Sequence, residues 1–196
     1  MTEFLTQLGY DRWILNTLLL LPLLGVIPVA LAPAARAKQI ALVVTLLELV
    51  LSLGLWWAYN PADGGMQLGV TGPWLPQWGI NYTLGLDGIS LFMVLLTTAI
   101  TPLAVLSSFH YIEQREKLYY ALLLVLLTGM LGVFLALDMF LFYCFWELML
   151  IPMYFIIGIW GGKNRLYAAI KFFIYTFAGS LLMLVAIIVM MFQVYD

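Results

Sequence analysis

Residues 142–176 read FYCFWELMLIPMYFIIGIWGGKNRLYAAIKFFIYT, where a single carboxylate, Glu147, lies inside an apolar run of membrane-spanning length. A charged side chain at the centre of a bilayer costs about 2.5 to 3.5 kcal/mol on insertion scales. Such side chains usually face a protein interior or a water-filled cavity and belong to an ion pathway. Glu147 is therefore the first candidate functional residue.

The composition is that of an integral membrane protein. Of the 196 residues, 65% are hydrophobic and 9% are charged, whereas about 25% of the residues of a soluble domain are charged. No basic tract that would bind nucleic acid is present, and no motif of a nucleotide-binding or hydrolytic site occurs. The single cysteine, Cys144, excludes an intrachain disulfide, and with the single histidine, His110, it does not make a metal-ligand cluster.

Six apolar runs are long enough to cross the hydrocarbon core as helices, which takes about 20 residues. The alternation typical of a β-barrel is absent, so the sequence predicts an all-α, polytopic membrane protein. The predicted spans are Ile14–Leu31, Ile40–Tyr59, Ile89–Phe109, Ala121–Leu137, Met139–Trp160 and Ala168–Phe192.

The basic residues predict the orientation of these spans. Seven of the eight fall on one side: Arg36, Lys38, Arg115, Lys117, Lys163, Arg165 and Lys171. The other side carries only Arg12, and the long connection over residues 60–88 has no Lys or Arg. By the positive-inside rule, the N-terminus, this connection and Asp196 are predicted to be extracytoplasmic.

The connection over residues 60–88 predicts a short hairpin on the membrane surface, because apolar residues alternate around Gly and Pro turns. Trp74 and Trp78 are expected at the depth of the lipid headgroups. A plain irregular loop is the alternative. Asp87 and Asp138 are predicted to cap the N-termini of the third and fifth helices.

Pro152 lies within one turn of Glu147 and frees the carbonyl of Leu148 from the helical hydrogen-bond ladder. A kink at this point would let water or another helix approach a titratable group. The alternative is that Pro152 only shapes the bundle. That is the favoured interpretation for the other helical prolines, Pro22, Pro28 and Pro102.

The two carboxylates inside the spans receive different interpretations. Glu147 lies eight residues into its helix, about 12 Å from the outer end and near the midplane, and we expect it to take up and release a proton; a hydrogen bond between two helices is the alternative. Glu48 is equally deep, but Thr45 and Ser52 are available as partners, so a helix–helix hydrogen bond is favoured there over a functional role.

Lys171 is the only basic residue well inside an apolar run. Tyr175 and Gly179 follow at intervals of four with Ser180 next, which predicts a polar, small-residue face aimed at the bundle and a part for Lys171 in a proton relay. Snorkelling of the lysine to the interface is the alternative. His110 has an intrinsic pKa suited to proton transfer near neutrality, although an interfacial histidine without function is favoured.

Three runs carry a resemblance to a known family: GLDGISLFMVLLTTAITPLAVLSS, LDMFLFYCFWELMLIPMYFIIGIWGG and YAAIKFFIYTFAGSLLML. They closely resemble chain M, an antiporter-like membrane subunit of bacterial-type NADH:quinone oxidoreductase (respiratory complex I). The resemblance implies the N-terminal part of a fourteen-helix fold built on two inverted five-helix repeats. Residues 1–110 would hold helices 1–3 with the outer loop, and residues 111–196 would hold helices 4–6, the start of the first repeat.

The resemblance also implies function. Glu147 matches the proton-path glutamate of the family and Lys171 the lysine near the start of the sixth helix, while the lysine that pairs with the glutamate belongs to a seventh helix. The expected activity couples quinone reduction to proton movement. NADH, FMN, iron–sulfur clusters and quinone would be bound by partner subunits and no cofactor by this chain.

The expected partners are the other complex I membrane subunits, especially the two related antiporter-like ones, in the bacterial cytoplasmic membrane. Two alternatives stay open at the level of the sequence. One is a subunit of a multisubunit sodium/proton antiporter or of a membrane-bound hydrogenase, and the other is a structural fragment that conducts nothing.

Overall fold

The computed structural model describes residues 9–195, and within them six long helices and one β-hairpin. All six helices are long and apolar enough to cross a membrane, which confirms the predicted spans. The helices are α1 (Tyr10–Leu31), α2 (Ala34–Ala58), α3 (Gly88–Ser108), α4 (Glu116–Leu135), α5 (Met139–Trp160) and α6 (Arg165–Tyr195).

The predicted boundaries hold for α5, but α2 and α4 begin five or six residues earlier than expected. The added first turns carry charged residues, Arg36 and Lys38 in α2 and Glu116 and Lys117 in α4. Apolar runs identify only the part of a helix that lies in hydrocarbon. The helical backbone therefore continues past the point where the hydropathy signal ends.

The helix α4 forms the centre of the bundle and packs against α1, α2, α3 and α5. Half of its most apolar segment is buried, compared with 6% for α6, which packs against α5 at the periphery. Buried leucines of α1 and α4 meet in the main core, among them Leu15, Leu18, Leu127 and Leu131. Helices of both predicted parts thus share one core, and the division at residue 110 stays a prediction.

The helix ends that carry seven of the eight Lys and Arg residues lie together on one side, as the charge pattern predicts, and we call this side the basic face. Lys117 of α4 donates to the Ala30 carbonyl at the end of α1 (3.3 Å). The Lys38 ammonium lies 5.4 Å from the centre of the Phe109 ring. The chain termini at Met1 and Asp196 lie outside the described residues.

The predicted hairpin is present as strands β1 (Gln67–Leu75) and β2 (Ile80–Leu86), joined by a 3-10 turn over Pro76–Trp78. The strands are antiparallel, with Val70 opposite Leu84. Trp74 and Trp78 are exposed, and their depth in a membrane stays a prediction.

The hairpin also caps the helix bundle, which the sequence did not indicate. The side chains of Leu84 and Leu86 are fully buried in the main core. Leu137 donates from its backbone N–H to the Thr83 carbonyl (2.9 Å), and the Tyr82 hydroxyl donates to Asn16 Oδ1 (2.8 Å). We call this end of the bundle the hairpin face.

Both predicted caps are confirmed. Asp87 Oδ1 accepts from the backbone N–H of Ser90 (2.7 Å), and this hydrogen bond lowers the pKa of Asp87 below its ordinary value. Asp138 Oδ1 accepts from Phe140 (2.9 Å) and Leu141 (3.1 Å), while its Oδ2 accepts from the backbone N–H of Asn81 (3.1 Å). Asp138 therefore caps α5 and ties it to the hairpin.

The prolines lie inside continuous helices. Pro22 and Pro28 are in α1, Pro102 is in α3 and Pro152 is in α5. Helix α5 runs from Met139 to Trp160 without interruption and buries Pro152.

Close packing of α4 on α5 depends on glycine, because a Cβ at Gly132 would overlap the ring of Phe145.

We expect Asp138→Ala to lower the free energy of unfolding by about 0.5 to 2 kcal/mol, the usual cost of losing an N-cap. Three backbone N–H groups lose their acceptor. Asp138→Asn retains one side-chain oxygen and should lose less. Thermal unfolding in detergent, compared among the three proteins, measures the difference; equal stability of all three would contradict the capping role.

We expect Gly132→Ala to lower the free energy of unfolding by about 1 to 3 kcal/mol, because the added methyl overpacks the interface of α4 and α5. Gly158→Ala is the matched control, since its Cβ would meet Ala169 at an ordinary 3.5 Å. The same unfolding measurement applies. Because Gly→Ala by itself favours the helix, a loss confined to Gly132→Ala would come from the overpacked contact, and equal changes in the two variants would contradict it.

Candidate functional site

Glu147 lies on α5 where the sequence placed it, half-buried and eight residues past the helix start. Its Oε1 atom is buried and has no hydrogen-bond partner. Within residues 9–195, no lysine or arginine is ion-paired with it. A buried carboxylate oxygen without a countercharge or a hydrogen bond is costly, so Glu147 is the candidate functional group of this region.

Tyr143 and Ser180 are the polar neighbours that the structure brings to this region. Tyr143 lies one turn before Glu147 on α5, and its side chain interacts with Glu147 and with Ser180 of α6. Ser180 is only 3% exposed, and its hydroxyl donates to the Phe177 carbonyl (2.9 Å). We call Tyr143, Glu147 and Ser180 the Glu147 cluster.

The depths of these residues agree. Glu147 precedes the end of α5 by thirteen residues, which is about 20 Å from the basic face. Ser180 follows the start of α6 by fifteen residues, which is about 22 Å from the same face. The cluster therefore lies at one level, about halfway along the helices, on the peripheral seam between α5 and α6.

Sequence reasoning missed the interaction of Tyr143 with Glu147 and with Ser180 on the neighbouring helix. The available signal was the spacing of four between Tyr143 and Glu147, which puts the two side chains on one helical face. The contact with Ser180 depends on how α6 is rotated against α5.

Lys171 is not part of the cluster. It lies six residues into α6, about 9 Å from the basic face and so about 11 Å short of the level of Glu147. Its side chain is exposed, and its ammonium lies 5.7 Å from the centre of the Tyr167 ring.

The prediction that the face of Lys171, Tyr175 and Gly179 is aimed at the bundle is wrong for the described helices. Tyr175 is 81% exposed, and a Cβ at Gly179 would meet nothing within 4 Å. Residues four apart share a face, and this face points away from α5. Only Ser180, which the sequence pattern grouped with Gly179, turns inward.

Glu48 is the second deep carboxyl and differs most from its prediction. It is 0% exposed, and neither of its carboxylate oxygens has a hydrogen-bond partner. The expected partners bond elsewhere: Thr45 donates to the Ala41 carbonyl (3.0 Å), and the Ser52 hydroxyl pairs with that of Thr98 on α3 (2.7 Å). Helical Ser and Thr often bond to carbonyls of the preceding turn, so the predicted hydrogen bond to Glu48 is not formed.

His110 is exposed in the turn that follows α3, at the basic face. It does not join either deep carboxyl. Among residues 9–195, no group of three or more His, Cys, Asp and Glu side chains is placed to hold a metal ion. The groups that the described structure brings together are a carboxyl, a phenol and a hydroxyl, side chains that can donate and accept hydrogen bonds.

Two family models match the chain. The model described as "NADH-ubiquinone oxidoreductase chain 4, amino terminus" covers residues 17–137. The model described as "NADH:quinone oxidoreductase/Mrp antiporter, TM" covers residues 136–195, which include the Glu147 cluster.

Curated relatives that carry the same family name align with most of this chain. NADH-quinone oxidoreductase subunit M of Rhodobacter capsulatus is 50% identical over 169 residues, covering 85% of this chain and 32% of the relative. Subunit M of Escherichia coli K12 is 45% identical over 175 residues, covering 81% of this chain and 33% of the relative. The chain therefore spans about a third of the length of these relatives.

Solved structures show the same fold. A chain of respiratory complex I from Thermus thermophilus with bound NADH matches with a TM-score of 0.75 and 30% identity, over 88% of this chain and 34% of that one. A chain of the Mrp complex from Dietzia has the same TM-score at 21% identity, over 88% of this chain and 19% of that one, and shows likeness of fold alone. Since the amino-terminal model covers more than half of the residues, this integral membrane chain belongs to the NADH-ubiquinone oxidoreductase chain 4 family of antiporter-like subunits.

Proposed function

We propose that the chain is the N-terminal part of a proton-translocating membrane subunit of NADH:quinone oxidoreductase, and that Glu147 carries the proton. The observation that carries this proposal is the Glu147 cluster. A half-buried carboxyl without a countercharge among residues 9–195 interacts with the Tyr143 phenol, which in turn interacts with the Ser180 hydroxyl, at mid-membrane depth. Membership of the family supports it, since the matched relatives are named as subunits of that enzyme.

The cluster works by electrostatics. In a low-dielectric site, a lone carboxyl is more stable when it holds its proton, and an approaching cation stabilises the ionised form. A lysine that moves toward Glu147 would therefore release the proton, and its withdrawal would favour uptake. The resemblance places such a lysine on a seventh helix, beyond the residues of this chain.

Tyr143 and Ser180 position the carboxyl and connect it to the next proton carrier. Each hydroxyl can donate one hydrogen bond and accept others. Ser180 stands on the partner helix, so it is suited to pass a proton across the seam between α5 and α6. Because the Ser180 hydroxyl donates to the Phe177 carbonyl, its lone pairs remain able to accept from Tyr143.

Lys171 serves the relay from the side of the basic face. An ammonium exposed to acyl chains on a membrane helix is unfavourable, so the face of Lys171 and Tyr175 is expected to pack against further protein in the assembled subunit. The fourteen-helix fold implied by the resemblance would supply that protein. Lys171 would then approach the proton path from the outer side of α6.

The proposal includes the partner subunits and the membrane in which the chain would lie. The other complex I membrane subunits, the two antiporter-like ones above all, would flank this chain in the bacterial cytoplasmic membrane, with the hairpin face outside the cytoplasm. NADH, FMN, iron–sulfur clusters and quinone would be bound by partner subunits and supply the redox chemistry there. The fold is shared with an Mrp complex, but the relatives at 45–50% identity carry the quinone oxidoreductase name and favour that activity.

We expect Glu147→Gln to reduce proton translocation severalfold in the assembled enzyme, because glutamine keeps the shape but cannot release a proton. Proton uptake by inverted vesicles, measured with a pH-sensitive dye during NADH oxidation, reports the effect. Glu147→Asp retains a carboxyl and should keep part of the activity. Unchanged pumping in Glu147→Gln would remove this residue from the path, and a sodium requirement in the wild type would favour antiport.

We expect Tyr143→Phe to reduce pumping less than Glu147→Gln and to raise the carbonyl stretching frequency of protonated Glu147 in the infrared spectrum. The reason is that the carboxyl loses a polar neighbour. Tyr59→Phe makes the same change at a half-buried site on the hairpin face and should alter neither signal. An unchanged carboxyl band in Tyr143→Phe would show that the phenol does not act on Glu147.

A further inference from the structure

Glu48 is fully buried in the middle of the bundle and has no place in the function proposed for Glu147. It lies fourteen residues from the start of α2, about 21 Å from the basic face, and ten residues from the end of that helix. Both of its oxygens are buried and have no hydrogen-bond partner. A leucine of similar size would pack there at no electrostatic cost. Packing alone therefore does not explain a carboxyl at this position.

The charged groups on the elements packed against α2 all lie in the first turns of their helices, and none forms a hydrogen bond with Glu48. Helices α1, α3 and α4 form those contacts. The charges of α1 are Asp11 and Arg12 in its first turn, those of α4 are Glu116 and Lys117 in its first turn, and α3 has none. The Tyr10 hydroxyl of α1 donates to the Leu51 carbonyl of α2. With no cation facing it, the carboxyl is stable there only with its proton.

Buried hydroxyls follow the α2–α3 interface from one turn beyond Glu48, on its hairpin side, to the basic face. Ser52 lies one turn after Glu48 on the same face of α2 and pairs with Thr98 (2.7 Å). Thr101 and Ser108 continue along the inner face of α3, and the Ser108 hydroxyl donates to the Tyr120 hydroxyl (3.2 Å). None of these side chains is more than 5% exposed.

These hydroxyls span the half of the bundle that lies toward the basic face. Thr98 and Ser108 are ten residues apart, which is about 15 Å along α3. Ser108 is the last residue of that helix, so these hydroxyls end at the basic face. We call Ser52, Thr98, Thr101, Ser108 and Tyr120 the hydroxyl seam.

Polar contact between helices accounts for the seam but not for the carboxyl. The Thr98 and Thr101 hydroxyls donate to carbonyls of their own helix (Val94, 3.0 Å; Thr97, 2.7 Å), which satisfies them. Paired hydroxyls of this kind commonly join membrane helices. A carboxyl that shares in none of these bonds adds nothing to that adhesion, and an unpaired buried polar group is costly.

We propose that Glu48 is a second proton-exchanging carboxyl, independent of Glu147, and that the hydroxyl seam connects it to the basic face. On release, the carboxyl O–H bond breaks and the proton passes to a water molecule that enters along the seam. On uptake, the carboxylate takes the proton back from hydronium by the same route. This assigns a proton site to the α2–α3 interface, apart from the α5–α6 seam.

Infrared spectroscopy of the assembled enzyme in membranes tests the proposal without measuring pumping. We expect a protonated-carboxyl band at neutral pH that is lost in Glu48→Gln, is retained in Glu147→Gln, and shifts to lower frequency within minutes of transfer to D2O. Glu48→Asp keeps a carboxyl and should show a displaced band, which serves if the glutamine variant does not assemble. Persistence of the band in Glu147→Gln separates this result from the fate of the function proposed for Glu147.

Thr98→Val removes one hydroxyl from the seam without changing the shape of the side chain, and it should slow the deuterium shift severalfold. Thr97→Val is the matched control, because Thr97 is the neighbouring residue of α3 and its hydroxyl donates to the Met93 carbonyl away from the seam. The proposal is overturned if no band is assigned to Glu48, or if its proton does not exchange. Equal exchange rates in Thr98→Val and Thr97→Val would overturn the route.

Discussion

The cost of placing charge in hydrocarbon organises this structure. Backbone polar groups must be satisfied within the membrane, so every described span is a helix. Most charged side chains lie at or near the ends of those helices: seven of the eight basic residues lie toward one face, while Asp87 and Asp138 cap helices at the other. The few ionisable groups that remain inside the spans are therefore the ones that need an explanation by function.

The two deep carboxyls meet this cost in different surroundings. Glu147 is half-buried at the periphery, on the seam of α5 and α6, and interacts with Tyr143, which also interacts with Ser180. Glu48 is completely buried among α1 to α4, and its polar neighbours bond to one another instead. In the proposed roles, Glu147 would respond to a moving cation, and Glu48 would exchange its proton along the hydroxyl seam. This difference in access separates the two proposed roles.

Much of the fold follows from local chemistry and could be predicted. The six spans, the hairpin and both aspartate caps depend on hydropathy, turn residues and a single side chain that bonds its own backbone. The site was predicted less well. Glu147 was found because a carboxyl in an apolar run is conspicuous. The only signal for Tyr143 was its spacing of four residues from Glu147. Ser180 was assigned to the same helix face as Gly179. The partners predicted for Glu48 bond elsewhere: Thr45 donates to the Ala41 carbonyl, and Ser52 pairs with Thr98.

The amino-acid sequence by itself determined which segments cross the membrane, which helix ends share a side, and which ionisable groups lie deep, because these depend on the transfer of each residue from water to hydrocarbon. Only the tertiary structure decided which groups meet. The rotation of α6 turns Ser180 inward and Lys171 outward, and the fit of α3 on α2 pairs Ser52 with Thr98 and leaves Glu48 alone. Contacts of this kind depend on side-chain packing between helices, which residue-by-residue hydropathy does not encode.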